Sequence, residues 1–166
     1  MQVIFLDVDG VLNTQFSESR CCGFIGIDDS KVKLLKEIVD ATGAKIILSS
    51  SWRYGWERDE ESCDQLAIYM NKKLAHRQLH ILDKTKEYVK SGDKSVKYCD
   101  RGSEIKEWLS RHSNVDKWVV LDDEIFDDYE REGIMPHLVK TSFYDDLGGL
   151  QRWSVDSAIK ILNGEE

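Results

Sequence analysis

Proline is almost missing from this chain: Pro136 is the only one in 166 residues, and no Pro/Gly-rich linker, repeat or low-complexity stretch interrupts the sequence. A single domain over residues 1–166 is therefore expected, within the usual size range. No apolar run approaches the roughly eighteen residues that a membrane-spanning helix needs, so no membrane partner is expected. The opening Met1-Gln2-Val3-Ile4-Phe5-Leu6-Asp7 has neither a basic flank nor a small-residue cleavage site. It reads as a first strand and not as a signal peptide, and a cytoplasmic protein is the expectation. Cysteine and histidine are sparse as well. Cys21, Cys22, Cys63 and Cys99 contain no CxxC pair, and the four histidines are scattered at 76, 80, 112 and 137. Neither a zinc site nor a disulfide is expected from these spacings. Basic clusters are also lacking, and the formal net charge is −8. That balance excludes general attraction of long polyanions, which needs grouped Lys and Arg, but suits carboxylates gathered around a divalent cation.

What the sequence does have is a 41% apolar fraction and five tryptophans, enough for a sizeable core. Apolar runs alternate with helical segments, the pattern of a parallel sheet with crossover helices. Val3–Leu6, Lys45–Leu48, Leu79–Leu82, Trp118–Leu121 and His137–Thr141 read as strands. Helices are expected at about 29–41, about 61–75, from about Arg101, and around Val155–Leu162. Asp28 or Asp29 suits the start of the first helix and Gly43 its end. The expected fold class is α/β, a three-layer Rossmann-like domain with a central parallel sheet of about five strands.

The polar residues fall in a telling place. Asp7 and Asp9 follow the first strand, Ser49 the second, and Asp122 and Asp123 the Trp118 strand. All lie past the carboxyl ends of strands expected to be parallel, the edge where open α/β sheets bind ligands. Four carboxylates in one crevice repel unless a cation neutralises them, and oxygen-only ligation selects Mg²⁺. An aspartate beside such an ion can attack a phosphoryl group, and the second aspartate can protonate the leaving oxygen and then activate water. Ser49, or its neighbour Ser50 if the strand ends one residue later, can hold the transferring oxygens. Asp-x-Asp-Gly also opens calcium loops, but a loop starting at Asp7 would place Val11 and Leu12 at its fifth and sixth positions, which is not the EF-hand pattern.

Phe5-Leu6-Asp7-Val8-Asp9-Gly10-Val11-Leu12-Asn13 resembles the first motif of the haloacid dehalogenase (HAD) superfamily. Ile46-Ile47-Leu48-Ser49 is similar to its second motif, Arg101-Gly102-Ser103-Glu104-Ile105 to its third, and Val119-Val120-Leu121-Asp122-Asp123 to its fourth. The four occur in order over residues 3 to 123. The resemblance implies Asp7 as nucleophile and magnesium ligand, and Asp9 as general acid/base with its backbone carbonyl on the metal. It implies Ser49 and Arg101 on the phosphoryl oxygens, and Asp122 and Asp123 completing the Mg²⁺ site. Lys97 and Lys94 are the alternatives to Arg101. The second acid, Asp9, favours a phosphatase over a dehalogenase.

Cap insertions select substrates in this superfamily, and here only residues 14–28 and part of 50–100 are available for one. The resemblance therefore implies a small capless type with an open site. Ser49-Ser50-Ser51-Trp52-Arg53 together with the 101–109 stretch looks like the HAD phosphatase domains associated with RNA repair, including those of polynucleotide kinase-phosphatases. On that resemblance, nucleic-acid ends or nucleotides are the expected substrates. Arg53 is a candidate for a substrate phosphate, and Trp52 or Trp56 for a base. The alternatives are a phosphatase of phosphoproteins or small phosphometabolites, and a non-catalytic phosphate- or metal-binding module. A monomer or weak oligomer is expected.

Overall fold

A computed structural model describes residues 1–87 and 100–165. The strands of its central sheet are β1 (Gln2–Leu6), β4 (Lys45–Leu48), β5 (Ile81–Lys84), β6 (Lys117–Asp122) and β7 (Leu138–Lys140). They form a five-stranded sheet in the order β5-β4-β1-β6-β7, and every neighbouring pair is parallel. A separate two-stranded hairpin, β2 (Arg20–Cys21) and β3 (Phe24–Ile25), lies between β1 and the first helix. The helices among the described residues are α1 (Asp29–Thr42), α2 (Gln65–Ala75), α3 (Arg101–Ser110) and α4 (Arg152–Asn163).

β1 shows why the sheet is covered on both sides. Ile4 and Leu6 pack into one buried cluster, while Val3 and Phe5 pack into another. Successive strand side chains point to opposite faces, so an unbroken apolar run must be enclosed twice. The first face receives Val32, Leu35 and Ile38 from α1, Ala67, Met70 and Leu74 from α2, and Val155, Ala158 and Leu162 from α4. The second receives Ile105 and Trp108 from α3, with Tyr129 and Ile134 from the loop after β6. Phe5 meets Trp108 edge to face at 5.4 Å and Trp118 at 6.0 Å, a favoured aromatic geometry.

Several boundaries differ from the sequence expectations. Residues Glu60–Ser62 form a short 3-10 turn, and α2 begins only at Gln65, where the Asp64 carboxylate caps the Ala67 N–H at 2.8 Å. The acidic run 57–61 resembles a helix start, but Asp64 makes the cap. β5 sits two residues later than Leu79–Leu82: Leu79 is instead tied to the end of α2 through its N–H to the Leu74 carbonyl. His137 closes a 3-10 turn at Met135–His137, and β7 begins after it.

The topology also locates the crevice. β4 lies on one side of β1 and β6 on the other, so the strand order reverses between β1 and β6. Leu6 pairs with Leu121, and the Asp7 N–H bonds to the Leu121 carbonyl at 2.9 Å. The residues that follow, Asp7 and Asp122, therefore face one another at the switch point. No helix among the described residues is long and apolar enough to cross a membrane.

Candidate active site

The chain turns sharply after β1. Val11 and Leu12 return their N–H groups to the Val8 carbonyl, and Gly10 adopts φ +74°. A Cβ at Gly10 would lie 2.3 Å from Asp123 Cγ, so glycine is required both for the left-handed backbone and for the approach of Asp123. Across the turn, the Thr141 hydroxyl from the end of β7 donates to the Gly10 carbonyl at 2.5 Å.

Asp7, Asp122 and Asp123 each present a carboxylate oxygen within 4.8 Å of the others. Asp7 is 9% exposed and Asp122 1% exposed, so little water screens them. Burial first, and then the Asp122 charge, push the Asp7 carboxyl up to about 7; the Arg101 cation, the Ser50 hydroxyl and the Val8 N–H oppose that shift. Burial pushes Asp122 up to about 6 against the pull of Arg101, the Glu124 N–H and Tyr129. Asp123 also rises to about 6, through burial and then the charge of Asp7. Three carboxyls held reluctant to ionise together form a site short of positive charge.

Arg101 supplies part of it. Its Nη1 lies 3.9 Å from Asp7 Oδ1 and 3.7 Å from Asp122 Oδ2, and also donates to the Ser49 carbonyl. The guanidinium rests over the Phe126 ring, 4.8 Å from its centre. Arg101 is the first residue of α3, and that terminus is held by Asp128, whose carboxylate accepts the Gly102 and Ser103 N–H groups at 3.0 and 2.7 Å. A Cβ at residue 102 would lie 3.0 Å from that carboxylate, which explains the glycine after the arginine.

The two serines are distinguished by their bonds. Ser50 Oγ accepts the Trp52 N–H at 3.3 Å, capping the 3-10 turn Ser51–Gly55, and its hydroxyl favours the charged form of Asp7. A hydroxyl can accept and donate at once. Ser49 Oγ is buried beside them with no hydrogen-bond partner among the described residues. A buried hydroxyl left in this state costs free energy unless a ligand meets it.

The structure places the remaining residues singled out in the sequence as follows. The Asp9 carboxylate lies outside the three-carboxylate cluster: it accepts Asn13 Nδ2 at 2.8 Å and Trp52 Nε1 at 2.9 Å. Trp52 and Trp56 are buried at 6% and 4% exposure, so neither presents a ring to solvent. Arg53 is 3% exposed; it bonds to the Ser50 carbonyl at 3.0 Å and pairs with Glu104 at 2.9 Å. Lys94 and Lys97 lie outside the described residues. Asn13, Glu104, Asp128 and Tyr129, whose hydroxyl donates to Asp122 at 2.8 Å, were not singled out in the sequence. Asp128 and Tyr129 lie in an irregular loop and show no spacing that would reveal them; Glu104 is one turn beyond Arg101 and was legible only as a helix acid.

This geometry agrees with the comparisons. No curated protein shows significant similarity to the chain. Residues 3–149, which include every aspartate described above, match the family described as the HAD domain in Swiss Army Knife RNA repair proteins. The chain belongs to that family of HAD domains.

Proposed function

We propose that this protein is a magnesium-dependent phosphomonoester hydrolase that works through an aspartyl-phosphate on Asp7 and acts on phosphorylated nucleic-acid ends or nucleotides. HAD-type phosphatase activity in general follows from the family. The observation that carries the finer reading is the buried Asp7 at the switch point, with a cation, an uncommitted hydroxyl and two further carboxylates converging on it.

The donor set fits a hard cation. Asp7, Asp122 and Asp123 offer only oxygen, and their raised pKa values reflect the charge that a divalent ion would neutralise. Bound there, Mg²⁺ would offset the carboxylates and draw charge from the phosphoryl oxygens. This chain's residues carry the steps. Ser49 Oγ and Arg101 donate to the equatorial oxygens. Asp7 attacks phosphorus as the ester P–O bond breaks, and Asp9 gives its proton to the departing oxygen. Asp9, now a carboxylate, takes a proton from water attacking the aspartyl-phosphate, which releases inorganic phosphate and restores Asp7.

The substrate class is supported by the family's description and by exposed aromatics in segments that follow the carboxyl ends of the strands. Only a short hairpin stands between β1 and α1, leaving little to cover the site from that side. Phe16 and Tyr144, in the loops following β1 and β7, and Tyr54, in the 3-10 turn following β4, are 57%, 71% and 61% exposed. Exposed aromatics beside a phosphate site can stack bases, a role that the buried tryptophans cannot take. The test is Mg²⁺-dependent release of phosphate from 3′- and 5′-phosphorylated oligonucleotides, mononucleotides, sugar phosphates, phosphopeptides and para-nitrophenyl phosphate by the wild type and Asp7→Asn. Loss of all activity in the variant is expected, with oligonucleotide ends or nucleotides preferred. Equal rates in both proteins overturn the nucleophile, and a preference for sugar phosphates or phosphopeptides overturns the substrate class.

A further inference from the structure

We infer that Trp52 is a positioning residue for the general acid: its indole N–H, together with the Asn13 amide, aims the Asp9 carboxylate. The inference rests on the phosphatase reading of the site. Trp52 packs within the same apolar cluster as Val8, Val11 and Trp56, and its one polar atom points at Asp9 Oδ2, 2.9 Å away. A buried indole N–H needs an acceptor, and here the acceptor is the proposed acid. Asn13 Nδ2 holds the other oxygen at 2.8 Å, while Asn13 Oδ1 accepts the Gly10 N–H at 3.0 Å. Asn13 is thus itself locked by the turn that carries Asp9.

The chemistry of the two donors matters. Both are neutral. A cation at this distance would compete strongly with the proton that Asp9 must carry and release; an indole and an amide also favour the carboxylate, but carry no net charge and so fix direction at a smaller cost to protonation. Each carboxyl oxygen keeps a second lone pair, so the bond from Trp52 is compatible with a proton on the substrate-facing side. Ser50 caps the turn that carries Trp52 and so helps set the indole. One short turn after β4 therefore fixes the acid of the Asp-x-Asp pair.

General-acid help matters for poor leaving groups and hardly for good ones, which separates positioning from mere packing. The experiment compares kcat/KM for an alkyl phosphate and for 2,4-dinitrophenyl phosphate in the wild type, Trp52→Phe, Asp9→Asn and Asp7→Asn. Phenylalanine keeps most of the ring and removes the N–H. Because general acids typically contribute about 10²–10⁴-fold, the alkyl-to-dinitrophenyl ratio is expected to fall at least about tenfold in W52F. The same bias should be larger in D9N. A ratio equal to wild type, whether or not both rates fall, overturns the inference. Melting temperature checks that W52F is folded. If it is not, β-(benzothien-3-yl)alanine at position 52, with sulfur in place of N–H in a ring of the same shape, gives the same two outcomes. Asp7→Asn separates the failures: activity surviving in D7N sinks the phosphatase reading itself, whereas an inactive D7N beside an unbiased W52F sinks only the role of Trp52.

Discussion

Arg53 and Glu104 form an ion pair at 2.9 Å with side chains 3% and 5% exposed, joining the loop after β4 to the helix that begins at Arg101. The perturbations to make are Arg53→Met and Glu104→Leu, each alone and both together. Arg53→Met alone takes the cation away from the enclosed Glu104 carboxylate, and breaking a buried pair from one side costs about 3–5 kcal/mol. For a chain of this length each kcal/mol corresponds to roughly 2–4 °C, so the melting temperature should fall by roughly 6–20 °C. Replacing both partners removes the buried charges together, and burial of apolar groups of similar volume offsets most of the loss. The double variant should return to within about 2 kcal/mol of the wild type. Thermal and urea unfolding of all four proteins closes the cycle and yields the coupling energy directly. If R53M lies within about 1 kcal/mol of wild type, or if the double variant is no better than the single ones, the pair is not a buried electrostatic unit and the reasoning fails.

The carboxylate cluster gives a pH prediction of definite sign. Asp7 rises from 3.8 to about 7, and Asp122 and Asp123 rise to about 6, so the folded state holds their protons more tightly than the unfolded chain does. Their contribution to stability is complete below 3.8 and is lost as pH climbs through about 6 to 7. Metal-free protein should therefore lose stability over that window, and Mg²⁺ should raise the melting temperature more at about pH 8 than at about pH 5, where protons occupy the oxygens. An equal Mg²⁺ effect at both values would refute the assignment. Gly10→Ala forces a Cβ to 2.3 Å from Asp123 Cγ at a φ of +74°. It should destabilise the fold by more than about 1 kcal/mol and blunt the Mg²⁺ response, and calorimetric Mg²⁺ binding equal to wild type would contradict it.

The sequence was most legible where one physical demand dominated. The strands β1, β4 and β6 lie in runs so apolar that only enclosure on two faces suits them, and α1 is flanked by an acidic start and Gly43. Legibility failed where two signals overlapped. The acids 59–61 serve a 3-10 turn and not α2, because Asp64 offers the geometrically correct cap. β5, an edge strand, ends in Asp83 and Lys84, whose polarity set its expected bounds two residues too early. The hairpin β2–β3 turns at Cys22 and Gly23 with φ of +54° and +83°, a conformation for which cysteine gives no hint. At the site, the residues past each strand end could be named from the pattern. Trp52 and Arg53 could not be placed, since the same side chain suits a substrate or a buried partner. Only the fold reveals that Asp9 lies within hydrogen-bond reach of Trp52, and Glu104 within reach of Arg53.

The loop after β6 has a consequence for how the two halves of the crevice communicate. It carries Asp123 directly after the strand, then Tyr129 bonded to Asp122, and Asp128 clamping the terminus that presents Arg101. Cation-binding and anion-binding groups thus hang from one stretch of backbone and are not independently adjustable. Under the proposed function, free energy released by seating the metal would be spent in part on ordering the arginine. By reciprocity, a phosphate group already in place would tighten the hold on the metal by the same factor. The crevice would then load its two charges cooperatively, each arrival preparing the position of the other.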